Sequence, residues 1–143
     1  MTVINRFALQ GHDGPYESWP LESRLIADGL RTKTKLPGYI LLHQFETAGA
    51  YLLITDYDCP FEERTSFVLL GKSLRVLSCR ALGGWFASFL LQDIEWIDGS
   101  HLIAVFNGDD RWRLTIRAWG IPLLRPRLKL ERCGPRLRAK SPS

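Results

Sequence analysis

The 143-residue chain has the length of one domain, and 45% hydrophobic against 24% charged residues is a composition that can build a core and need not be disordered. The formal charge of +4 is unevenly placed: residues 125–143 hold seven basic residues against Glu131 alone, and the remaining chain carries 12 basic and 14 acidic residues. The body is therefore slightly acidic, which excludes reading the whole protein as a nucleic-acid binder from its pI.

Thr2 to Gln10 reads as an opening strand, and Gly11-His12-Asp13-Gly14-Pro15 as a turn. Between Glu17 and Leu36, Leu21, Leu25, Ile26 and Leu30 recur at helical spacing, with Ser18 as cap, Pro20 near the start and Gly29 at the end. This predicts a short helix, with a strand over 23–27 as the rival. Residues 33–38 read as a loop. From Tyr39 onward every element reads as β: strands over 39–45 and 51–57, a loop over 58–64, then strands over 65–70 and 74–80 joined by Gly71-Lys72-Ser73. A longer strand over 86–97 leads into Asp98-Gly99, whose composition predicts a type I′ turn. Strands over 101–106 and 112–117 follow, and 123–130 closes the series as an edge strand, because Pro126 cannot donate to a ladder.

The predicted fold is thus mainly β. It is a single-domain antiparallel meander, sandwich or open barrel over residues 1–133, with at most one or two short helices near the N-terminus and a basic flexible tail at 134–143. The connections are too short for repeated parallel crossovers. Three irregularly spaced cysteines, Cys59, Cys79 and Cys133, argue against a disulfide framework and agree with a reducing compartment. No apolar run reaches bilayer length, and Met1 to Arg6 lacks the form of a signal peptide, so the expected location is the cytoplasm.

Catalytic signatures are sparse. His12, His43 and His101 have no ligand spacing, and no nucleotide-binding or nucleophile-elbow motif occurs. Asp93 and Glu95 share one strand face, as glycosidase carboxylates would, yet a pair two apart on a strand is ordinarily a polar outer face. The segment from Asp56 to Glu63 is the most distinctive. It places Asp56, Asp58, Glu62 and Glu63 beside Tyr57 and Phe61, which suits a recognition loop with aromatic anchors and carboxylates that steer a partner. Its order does not fit an EF-hand, and a solvated acidic loop is the plainer reading. Asp109, Asp110 and Trp112 form a smaller second candidate.

The runs Tyr57-Asp58-Cys59-Pro60-Phe61-Glu62-Glu63 and Asp93-Ile94-Glu95-Trp96-Ile97, with Gly120-Ile121-Pro122 and Arg125-Pro126-Arg127-Leu128, resemble small bacterial immunity proteins encoded beside polymorphic or secreted toxins. The likeness spans roughly residues 38–131 and is one of general style, without a diagnostic motif. It implies a non-catalytic cytoplasmic module that occludes a toxin's active site. The expected partner is then a cognate protein, with no cofactor, no metal, no membrane and no nucleic acid. The alternative is a small β-barrel enzyme or ligand-binding protein with a pocket drawn from Trp85, Phe86, Trp96, Trp112 and Trp119. A third reading is nucleic-acid binding through the basic C-terminal segment.

Overall fold

The computed structural model describes residues 1–47, 49–57, 62–85, 90–117 and 127–133, with backbone alone for 62, 63, 84 and 85. Among the described residues twelve strands run β1 Thr2–Val3, β2 Phe7–Leu9, β3 Glu22–Ala27, β4 Leu30–Pro37, β5 Ile40–Thr47, β6 Ala50–Asp56, β7 Glu62–Leu70, β8 Val76–Trp85, β9 Leu91–Asp98, β10 His101–Phe106, β11 Asp110–Ile116 and β12 Leu128–Arg132. Among the described residues there is no α-helix, only one 3-10 turn at Tyr16–Ser18, and so no helix long enough to cross a membrane. The strands form three antiparallel sheets: a central one of order β1-β5-β6-β7-β8, a C-terminal one of order β12-β11-β10-β9, and an N-terminal one of order β2-β3-β4.

The central sheet is covered on both faces, and its sequence shows why. A strand buried on two sides reads as an unbroken apolar run rather than an alternation. Tyr51-Leu52-Leu53-Ile54 and Phe67-Val68-Leu69-Leu70 are such runs, and all eight residues are buried. Leu52, Ile54, Phe67 and Leu69 pack with Leu102, Ala104, Phe106 and Leu114 of the C-terminal sheet. Their neighbours Tyr51, Leu53, Val68 and Leu70 point the other way, against Phe7, Leu25, Ala27 and Leu36 of the N-terminal sheet. The fold is a three-layer β sandwich with two cores sharing one wall.

The helix predicted within 17–36 is replaced by the β3–β4 hairpin. Ser23, Leu25 and Ala27 are buried in alternation, while Leu21 and Leu30, needed for the helical stripe, are 64% and 73% exposed. Asp28 and Gly29 both take positive φ, at 53° and 81°, which is the type I′ geometry whose twist suits a hairpin. Asp98-Gly99 does not: neither residue has positive φ. Asp98 instead flanks the turn, where its carboxylate accepts from the Ser100 amide and His101 Nδ1. These bonds, His101 first, hold the Asp98 carboxyl below its ordinary range.

The opening strand is also divided. Thr2–Val3 pairs with β5, whereas Phe7–Leu9 pairs with β3 in another sheet. The chain changes sheets at residues 4–6, beside Gln44. Leu74, predicted to open a strand, lies in the β7–β8 turn with φ 67°. The closing strand begins at Leu128, at the sheet edge as expected, and residues 118–126 lie outside the described residues. So does the tail at 134–143.

Candidate functional site

The stacking of the C-terminal sheet on the central sheet fixes which loops lie together. Thr47 Oγ1 donates to Gly99 O, so the β5–β6 and β9–β10 hairpins meet. Moving away from that contact, Phe45 packs on Trp96 with ring centroids 5.1 Å apart, and Asp93 acts electrostatically on His43. On the opposite flank β12 lies against β8. The strands of the two sheets therefore run aligned, β9 over β5 and β12 over β8, as in an aligned sandwich. The end of β6 at Asp56, the start of β7 at Glu62 and the β10–β11 turn at residues 107–109 then share one end of the molecule. This alignment puts Asp56 and Asp109, one from each acidic segment that the sequence singles out, at the same end. Asp58 and Phe61 lie outside the described residues, as do the side chains of Glu62 and Glu63.

The individual residues divide by role. Asp56 closes β6, and its Oδ1 accepts from the Tyr57 amide at 2.7 Å. Tyr57 is not a surface anchor. It is 6% exposed, its hydroxyl donates to Leu21 O at 2.7 Å, and its ring meets Tyr39 edge-on at 4.9 Å. The hydroxyl and ring join the end of β6 to the N-terminal sheet. Asp109 is exposed at the β10–β11 turn. Asp110 is paired with Arg132 at 3.2 Å, and the Arg132 guanidinium lies 4.9 Å from the Trp112 ring centre. Trp112 and Trp96 pack inward against the core between the central and C-terminal sheets. Their indole N–H groups are enclosed, with no acceptor among the described residues. Of the other residues that could form an aromatic pocket, Phe86, Trp119 and the Trp85 side chain lie outside the described residues.

Asp93 and Glu95 do share the outer face of β9, opposite Val105 and Ile103. Glu95 accepts from Arg111 across the sheet at 3.2 Å. With Arg113–Glu131 at 2.8 Å this makes a ladder of exposed ion pairs rather than a catalytic pair. Burial pushes the Cys79 thiol up, which disfavours the thiolate a nucleophile needs. Among the described residues, no three of His, Cys, Asp and Glu gather as a metal site.

One cluster was not legible in the sequence. At the same end, the loop after β2 folds over the N-terminal sheet and gathers the rings of His12, Trp19 and Tyr39, Tyr39 meeting the other two edge-on, with centroids 5.1–5.5 Å apart. His12 Nε2 is 2.8 Å from Ser23 Oγ. Ser23 is fully buried and donates to Gly38 O at 2.6 Å, so this contact fastens the loop and does not arm a nucleophile. Beside it opens a cleft of about 780 Å³ lined by Gln10 just after β2, Glu22 and Arg24 of β3 and Lys35 of β4, and by His12, Pro20 and Leu21 from the loop. Only the Gly-Pro punctuation of residues 11–15 marks this loop in the sequence. Comparison with protein-family models, curated proteins and solved structures finds no match to the chain.

Proposed function

We propose that the protein is a non-catalytic binding module whose partner is another protein, and that it acts as a cytoplasmic immunity protein covering the active site of a bacterial toxin. The observation that carries this reading is the placement of Asp56, at the end of β6, and Asp109, in the β10–β11 turn, at the same end of an aligned sandwich. Loops held by a rigid β scaffold are where binding surfaces form. Carboxylates on such a surface steer encounter with a basic cleft, the kind expected of a toxin that acts on nucleic acid or nucleotides.

The test is capture of the partner by tagged protein in the source cell, followed by association kinetics. One stoichiometric protein should co-purify, arrest growth when expressed alone, and be silenced by co-expression of this chain. Asp109→Lys together with Glu62→Lys should slow association, most strongly at low salt. A partner that associates with the double variant at the parent rate would remove this end as the interface.

A further inference from the structure

The cations of this protein are treated differently on its two outer faces. On the C-terminal sheet, Arg111, Arg113, Lys129 and Arg132 each meet a carboxylate. On the N-terminal sheet, Arg31, Lys33 and Lys35 project from β4 at alternate positions, with Arg24 on β3, and none has a carboxylate partner among the described residues. Arg24 and Lys35 are direct cross-strand partners. Like charges directly opposite one another destabilise a strand pair. The Arg24 guanidinium is also held in place, donating to Thr32 O at 3.0 Å. A local rule broken without an internal counterion marks a site built for something else.

That pair lines the cleft described above, a wide depression open to solvent with the two cations on its strand side. Glu22 also lines it but forms no ion pair with either cation, and Lys33 and Arg31 continue the positive face along β4. Two adjacent cations match a dianion better than a carboxylate, and a phosphate monoester carries about −1.5 to −2 at neutral pH. Pro20, Leu21 and the His12 ring supply an apolar wall.

We propose that this cleft binds a small organic phosphate, with Arg24 and Lys35 on the phosphate and the wall formed by His12, Pro20 and Leu21 on the remainder. The site is independent of the protein-binding reading. Calorimetric titration of the parent and Lys35→Glu with AMP, adenosine and inorganic phosphate tests it. AMP should bind more tightly than adenosine or phosphate, and weaken as salt rises. Lys35→Glu should lower AMP affinity by at least about tenfold and raise the melting temperature, because opposite charges then face each other across β3–β4. Lys33→Glu, outside the lining, should change affinity less. The proposal is overturned if none of the three probes binds the parent at millimolar concentration, if adenosine or inorganic phosphate binds as tightly as AMP, or if Lys35→Glu binds AMP as the parent does.

Discussion

The Gln44 carboxamide accepts from the amides of Arg6 and Phe7, each at 2.8 Å, and donates to Phe7 O at 3.0 Å. It supplies a rung where the chain leaves one sheet for another and no strand neighbour is available. Gln44→Ala leaves these backbone groups unsatisfied, and an equilibrium urea titration should show a loss of about 1–3 kcal/mol. Tyr57 separates two roles by two substitutions. Tyr57→Phe removes the bond to Leu21 O while keeping the ring and should cost about 1 kcal/mol, whereas Tyr57→Ala empties a buried site and should cost about 3–5 kcal/mol. Both losses should appear with no partner present. His43 carries a pH signature. Burial lowers its pKa despite the opposing pull of Asp93, so the unfolded chain takes up a proton before the folded one. Stability is then complete above the ordinary histidine range and falls as pH drops through that range toward the folded value. Melting temperature followed from pH 7.5 to 5.5, windows set about the ordinary pKa of about 6.5, should decline less in His43→Gln than in the parent.

Two glycines decide how elements join. Gly29 sits at φ 81° in the β3–β4 turn, with open space where a Cβ would be, so Gly29→Ala should cost only the left-handed backbone penalty of about 1–2 kcal/mol. Gly38 links β4 to β5 at φ 109°, and a Cβ there would meet Thr55 Oγ1 at 2.9 Å and Asp56 O at 3.1 Å. Thr55 cannot give way freely, because its hydroxyl donates to Pro37 O at 2.7 Å. Gly38→Ala should therefore lower the thermal midpoint more than Gly29→Ala does. The strands after Tyr39 were legible because their apolar runs and turn residues are local signals. The segment before it was not, since Leu21, Leu25, Ile26 and Leu30 fit a helical stripe while only the dipeptide Asp28-Gly29 marks the hairpin. Asp98-Gly99 shows the converse error: the favoured dipeptide is present, but the turn is built by the Asp98 side chain.

At the scale of the molecule, Asp56 and Asp109 could be named from the sequence but their placement at one end could not, because it depends on how two sheets stack. The paired cations Arg24 and Lys35 were likewise invisible until the hairpin register set them opposite one another. The continuous apolar runs of β6 and β7 did carry the layering, since burial of both faces leaves no polar side to alternate. That shared wall has a consequence for opening. Amides of β6 and β7 are bonded on both sides within the central sheet and roofed above and below, so they are released only when both cores are lost. The three-stranded N-terminal sheet can detach by giving up one core alone. Native-state hydrogen exchange should show this order: β2 to β4 exchanging together through a partial opening, and β6 with β7 exchanging last, at the free energy of complete unfolding.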